Sequence, residues 1–330
     1  MSSEKKCDIL DLVFAIDCTS SMAAYIRSAL ECIRSVVQQI RRCDNCNLQL
    51  GLIEFRDHYP EEETFVTRVH GPTRSTTKMK QWLEDCNAKG GGDTPEAVAD
   101  AMHEVTKFDW REDACKVCLL ILDAPPHGLD TKGIVDNFPK GCPENHDPMQ
   151  LARVMAKMEI SLYAIGCEPL INPYRDFYAS LAYLTGAQYI PLQSADCLPK
   201  LIVGTAAHEL SLAKLMPIVE KEVTKELESG NNDVSNNSYY RRLTLEMKRQ
   251  HLTSDNLKIS KVTRPSKKSV EMRHYDSLNA VQARFSPARG GSLPVRLGMY
   301  DVVKENITRD VVEKMVQRAK ARSLKSVRIC

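Results

Sequence analysis

The run Asp17-Cys-Thr-Ser-Ser21 sets one carboxylate and two hydroxyls, those of Thr19 and Ser21, two residues apart. From a single tight turn such side chains can converge on one point. A set made only of oxygens suits a hard divalent cation, Mg2+ first and Mn2+ or Ca2+ after it. A second carboxylate, Asp123, directly follows the apolar run Lys116-Val-Cys-Leu-Leu-Ile-Leu122. The first run also has a plainer use. Ser20 or Ser21 can cap a following helix, with Asp17 near its positive end. On these residues alone, the cation site and the helix cap both stay open.

The elements that must position these groups are legible as periodicities. Residues 9–16 read as a buried strand. Over 21–40, Tyr25, Ile26, Ala29, Cys32, Ile33, Val36, Val37 and Ile40 recur at helical spacing. Residues 48–55 read as a second strand, 64–69 as an alternating edge strand, and 77–86 as a short helix. After the loop Gly90-Gly-Gly-Asp-Thr-Pro95, Pro95 and Glu96 suit the first turn of a helix that runs to about Lys107. The continuous apolar run 116–122 suits the centre of a parallel sheet. An insertion rich in Pro and Gly follows over 128–147. Then come helix 148–157, strand 160–165, helix 174–185, strand 187–190 and helix 195–215. Strands alternating with helices predict an α/β fold, a doubly wound, mostly parallel, Rossmann-like sheet. In such sheets ligands bind at the carboxyl ends of the strands. Asp17 and Asp123 each sit just past a strand, so the fold puts both on one edge.

Four runs occur in order: Asp17-Cys-Thr-Ser-Ser-Met22, Phe55-Arg-Asp-His58, Gly90-Gly-Gly-Asp-Thr-Pro-Glu-Ala97 and Asp123-Ala-Pro-Pro-His-Gly128. Together they resemble the metal-ion-dependent adhesion site of von Willebrand factor A domains. The branch found beside α-kinases carries similar runs. The resemblance covers about residues 8–215. It implies that Asp17, Thr19, Ser21 and Asp123 ligate the cation. In many A domains a Thr ligand follows the double glycine, and that slot here is Gly92. Thr94 is the nearest hydroxyl and Asp93 the nearest carboxylate, which leaves the fifth ligand open between them. The resemblance also implies the mode of action. An under-neutralised Mg2+, Mn2+ or Ca2+ accepts an Asp or Glu from a protein partner. His58 and His127 fall near the same face, as acid/base groups or as loop packing. Arg56 and Asp57 read as a local ion pair, and Pro125-Pro126 as a brace for the loop after Asp123.

The remaining chain divides by composition. The stretch 216–238 reads as a helical and polar linker, and 239–330 as a basic, partly irregular C-terminal region with one amphipathic helix near 309–323. From Tyr239 onward there are 21 Lys and Arg against 8 Asp and Glu, a balance of +13, whereas the first 238 residues carry −11. This asymmetry suggests separate partners for the two parts, with an acidic surface as the partner of the basic tail. Aromatic residues are sparse in the tail, which argues against stacking on single-stranded bases. Nucleic-acid binding is therefore the weaker reading. No run approaches the roughly 18–20 apolar residues of a membrane span, and no signal peptide is legible. The expectation is a cytoplasmic protein whose 12 cysteines are free thiols. Cys43/Cys46 and Cys115/Cys118 have zinc-pair spacing, but the second pair should face opposite sides of a strand. No Gly-rich phosphate loop of the Gly-x4-Gly-Lys-Ser/Thr type is present. The 115 residues after 215 carry no recognisable kinase motif. A binding module is the leading reading. A kinase-like or hydrolytic system with metal-assisted catalysis is the enzymatic alternative.

Overall fold

Burial on both faces explains why the central strands are nearly unbroken apolar runs. In the computed structural model, which describes residues 9–44, 46–130, 132–229, 236–259, 266–287 and 300–326, six strands form the main sheet. They are β1 (Ile9–Asp17), β2 (Asn47–Phe55), β3 (Thr67–Thr73), β4 (Cys115–Leu122), β5 (Ile160–Cys167) and β6 (Tyr189–Leu192). Their order is β3-β2-β1-β4-β5-β6, and all neighbours are parallel except the edge pair β2–β3. The helices between them are α1 (Ala23–Asp44), α2 (Thr76–Asp85), α3 (Val98–Lys107), α4 (Pro148–Lys157), α5 (Arg175–Leu184) and α6 (Leu198–Glu228). This is the doubly wound, mostly parallel α/β architecture expected from the sequence.

Side-chain alternation along β1 feeds two separate layers. Leu12, Phe14 and Ile16 enter the layer with α1, α2 and the first half of α6. Val13 and Ala15 enter the layer with α3, α4 and α5. The thiols of β4 divide as their odd spacing requires. Cys115 packs against the first layer and Cys118 lies inside the second. They do not form a zinc pair. The side chain of Cys43 lies outside the described residues, and Cys46 is buried in the first layer.

The helix expected over 195–215 runs on to Glu228, with Pro217 inside it. The missing N–H of a proline removes one helical hydrogen bond, yet the apolar face on its far side has partners. Leu212, Met216, Val219 and Val223 pack against α7 (Asn237–Arg249) and against α10 (Arg309–Ser326). Among the described residues α6 is the one helix long and apolar enough to cross a membrane. Some 61% of that apolar stretch is buried inside the protein, so it serves as a core helix. The basic region also contains β7 (Thr253–Ile259), α8 (Lys267–Met272), α9 (Leu278–Gln282) and β8 (Tyr300–Asn306), with β7 and β8 paired antiparallel. Met272, Leu278 and Val281 join the α3–α5 layer. The basic region therefore buries apolar surface against the sheet domain at two places. Much of the polar stretch before α7, residues 230–235, lies outside the described residues.

Candidate functional site

β1 ends at Asp17, and a short 3-10 turn, Ser20–Met22, leads from it into α1. Asp17 Oδ1 accepts from the Thr19 backbone N–H at 2.9 Å and from Thr19 Oγ1 at 2.6 Å. Thr19 Oγ1 stands 3.4 Å from Ser21 Oγ, and Ser21 Oγ donates to Asp123 Oδ1 at 3.1 Å. Asp123 follows β4, the neighbour of β1 in the sheet. The four residues thus form one connected set of oxygens at the carboxyl edge. The helix-cap alternative is not what the fold uses. No side chain caps the turn, and Ser20 Oγ donates instead to the Gly90 carbonyl at 3.1 Å.

The loop that closes over this edge differs from expectation. Pro95 and Glu96 do not open a helix, because Glu96 bridges to Pro126 and its N–H donates to the Pro125 carbonyl at 3.0 Å. The helix begins only at Val98. Held in this way, the Glu96 side chain is 4% exposed and faces the acidic edge. The loop backbone lies tightly between Glu96 and Thr19. A Cβ at Gly91, where φ is +86°, would stand 3.1 Å from Glu96 Oε1 and 3.5 Å from Thr19 Cβ. Sequence reasoning missed Glu96 because its place after Pro95 matched a helix start. Thr94 is exposed, and no hydrogen bond among the described residues links it to the Asp17 group. Asp93 turns to a neighbouring cluster. Its Oδ2 accepts from the Asn137 N–H at 2.8 Å, and its carboxylate lies with Asp57 and His127.

Crowded burial of acids sets the electrostatics. Burial, then the Asp123 charge, raises Asp17 to about 7. Burial also raises Asp123, and it brings Asp93 to about 6. Glu96 is pushed to about 11, by burial first and then by Asp17, Asp57, Asp93 and Asp123. Asp17 Oδ2, Asp57 Oδ2, Asp93 Oδ1 and Glu96 Oε2 are buried without a hydrogen-bond partner. Buried polar atoms are normally satisfied, so four orphaned carboxylate oxygens at one edge need a reason. A divalent cation answers both the orphaned oxygens and the mutual repulsion. The Asp17 group, all oxygen and free of sulfur or imidazole, fits such an ion.

The two histidines have distinct settings. His127 Nε2 lies 2.6 Å from Asp57 Oδ1, and Nδ1 lies 2.9 Å from Asp136 Oδ1. Burial opposes its charge, but these two carboxylates prevail and raise it to about 9. His127 is therefore an imidazolium clamp at neutral pH. The His58 ring lies 5.5 Å from that of His127, and its Nε2 stands 3.0 Å from Asp100 Oδ2. The expected local pair of Arg56 with Asp57 does not form. Arg56 Nη1 donates to Thr64 Oγ1 at 2.7 Å and pairs with Glu62, while Asp57 holds His127. Beside the clamp, Gly128 has φ +77°, and a Cβ there would meet the Gly141 backbone nitrogen at 2.5 Å. Both the backbone sign and a rigid neighbour oppose any side chain. Gly128→Ala is expected to lower stability by about 1–3 kcal/mol, a cost typical of overpacking. Urea unfolding reads this, and an unchanged midpoint would remove the close approach from the account.

Known proteins resemble the chain in its sheet domain. The chain is 27% identical over 157 residues to "Alpha-protein kinase vwkA" of Dictyostelium discoideum, covering 47% of this chain and 25% of that protein. It is 26% identical over 201 residues to "Putative ariadne-like RING finger protein R811" of Acanthamoeba polyphaga mimivirus, covering 57% of this chain and 19% of that one. The chain thus spans a quarter or less of the length of these curated relatives. Among solved structures, "von Willebrand factor type A from Catenulispora acidiphila" aligns over 62% of this chain and 43% of its own, with 14% identity and a TM-score of 0.44. The open pilus adhesin SpaC of Lactobacillus rhamnosus GG aligns over 62% and 30%, with 12% identity and a TM-score of 0.46. The family model for the von Willebrand factor type A domain matches residues 11–182, from the third residue of β1 to within α5. With more than half of its length matched and the α-kinase branch among its relatives, the chain belongs to the von Willebrand factor type A domain family.

Proposed function

We propose that the chain is a metal-dependent protein-recognition module. The observation that carries this reading is the pair of orphaned oxygens, Asp17 Oδ2 and Glu96 Oε2, beside the linked oxygens of Asp17, Thr19, Ser21 and Asp123. These four residues would hold the cation, with Glu96 beside them. Of the two residues weighed for the fifth place, Thr94 has the donor type suited to a hard ion, and Asp93 is already engaged with Asn137. When bound, Mg2+ or Mn2+ supplies a concentrated positive charge that can accept a carboxylate from outside. The protein's own part is to orient the hydroxyls and to keep the acids close. It also holds the covering loop through Glu96 and Pro126.

Von Willebrand factor type A domains typically mediate protein–protein contacts, which supports recognition over turnover. The two curated relatives differ in the activities that their names state, a kinase and a RING finger protein. A segment shared by proteins so different is better suited to recognition than to either chemistry. The partner, on this reading, is a protein that presents Asp or Glu. The test is calorimetric titration of the full chain with Mg2+ and Mn2+, beside Asp17→Ala and Asp123→Ala. Saturable binding in the wild type and its loss in both folded variants is the expected result. A folded wild type that takes up neither ion would overturn the reading.

A further inference from the structure

A second cluster of ligating side chains lies outside the Asp17 group and has a different chemistry. Asp100, on α3, is 6% exposed and receives three side chains at once. His58 Nε2 stands 3.0 Å from its Oδ2. Cys142 Sγ lies 3.2 Å from Oδ2 and 3.4 Å from Oδ1. His146 Nδ1 lies 2.9 Å from Oδ1. One ligand atom from each of His58, Asp100 and Cys142 lies within 4.8 Å of the other two. All three residues are buried.

The geometry points to a transition-metal site, zinc(II) by preference, held by His58 Nε2, Asp100 Oδ2 and Cys142 Sγ with a water in the fourth position, and with His146 hydrogen-bonded to the free oxygen of Asp100. Tetrahedral zinc with bonds of about 2.0–2.3 Å places its ligand atoms roughly 3.3–3.8 Å apart. The separations to the Asp100 Oδ2 ligand atom are 3.0 Å from His58 Nε2 and 3.2 Å from Cys142 Sγ, and all three atoms lie within 4.8 Å of one another. Opening the cluster by a few tenths of an ångström would admit the ion. Binding exchanges the Cys142 S–H bond for a sulfur–zinc bond, and the proton leaves to solvent. Sulfur and imidazole select zinc over Mg2+, so this site and the all-oxygen edge do not compete for one ion.

Local structure favours the arrangement. Cys142 and His146 lie four residues apart in the insertion between β4 and α4, and the Asn145 N–H donates to the Cys142 carbonyl at 2.9 Å across the turn. Asn145, the last residue of this turn, takes the left-handed conformation, φ +61°, which asparagine tolerates better than most residues. The His146 ring stacks on His103 at 3.8 Å, which fixes its plane. A second-layer partner that orients a ligating carboxylate is the usual companion of a metal site. His58 directly follows Asp57, the partner of the His127 clamp. An ion here would therefore join the insertion, α3 and the loop after β2 into one frame beneath the recognition edge.

The test uses the full chain. Zinc is measured by elemental analysis on protein purified without chelator, and the stripped protein is then titrated with Co2+ and watched for a thiolate-to-cobalt charge-transfer band. About one ion per chain and a band that is lost in Cys142→Ser are expected. The band should persist in Asp17→Ala, and His146→Ala should weaken zinc binding about 10- to 100-fold. A folded wild type that gives no band overturns the assignment, and so does a band retained in Cys142→Ser. Cys18, Glu54 and Cys86 form the other thiol-bearing cluster among the described residues. A band lost in Cys18→Ser and kept in Cys142→Ser would move the thiolate there and equally overturn it. Should Cys142→Ser not fold, Asp100→Asn and the wild-type stoichiometry decide.

Discussion

Replacing Arg318 with Met should destabilise the chain by about 3–5 kcal/mol, the range for a buried ion pair that loses one partner. Arg318 lies on α10, and its guanidinium grips Glu209 of α6 through two hydrogen bonds of 2.8 and 2.7 Å. A third, at 2.7 Å, goes to the Gly186 carbonyl. Glu209 is 1% exposed, and Ser161 and Tyr163 of β5 also donate to it. Removing the guanidinium would leave that carboxylate buried with two neutral donors. The double variant Glu209→Leu, Arg318→Met should recover part of the loss, because no charge then remains buried. Acid should act on the same pair. Burial opposes the Glu209 charge, but Arg318 outweighs it and lowers the carboxyl to about 2. Its folded value lies below the unfolded one, so the contribution is complete above about pH 4.5 and fades as pH falls toward 2. Chemical unfolding at pH 7 and pH 3 measures both effects. A single variant with the wild-type midpoint would show that α10 contributes nothing through this contact.

That prediction concerns the part of the chain least legible from sequence. The central strands were readable because burial on both faces writes itself as an apolar run, as in β1 and β4. Spacing and strand ends bring Asp17, Thr19, Ser21 and Asp123 to one edge, but only the resemblance to von Willebrand factor A domains reads them as a ligand set rather than a helix cap. The basic region was harder. Its helices α8 and α9 span six and five residues, too short for a clear period. The partner that makes sense of Arg318 is 109 residues away. Glu96 was misassigned for a different reason. Proline followed by glutamate is a sound local sign of a helix start, but here the glutamate's backbone bridges to Pro126. The cluster on Asp100 was invisible, because its partners lie 42 and 46 residues away and share no motif spacing with it.

Asp17→Asn should remove most of the stabilisation that Mg2+ gives the chain and reverse the stability order of the two proteins. Without added metal, the variant should be the more stable protein. Burial and the Asp123 charge raise the Asp17 carboxyl to about 7 in the folded chain. A raised acid detracts from stability once pH exceeds its unfolded value near 4, and the whole deficit is present above about pH 7. An amide removes that deficit, and its oxygen can still accept from Thr19. The gain at pH 8 should be about 1–3 kcal/mol, allowing for relaxation around a buried charge. It should vanish below about pH 3, where the wild-type carboxyl is neutral in both states. With Mg2+ at about a hundred times its dissociation constant, the wild type should gain about 2.7 kcal/mol. For a chain of 330 residues that corresponds to a rise in Tm of about 4 °C. The variant should gain little, since Asn lacks the charge that draws the ion, so the order of the two melting temperatures should cross as Mg2+ is added. Scanning calorimetry at pH 8 with and without Mg2+ reads the crossing directly. Parallel responses of the two proteins would mean that Asp17 stands outside the cation site. An apo variant less stable than the wild type would mean that the hydrogen bonds from Thr19 to a charged Asp17 outweigh the repulsion from Asp123.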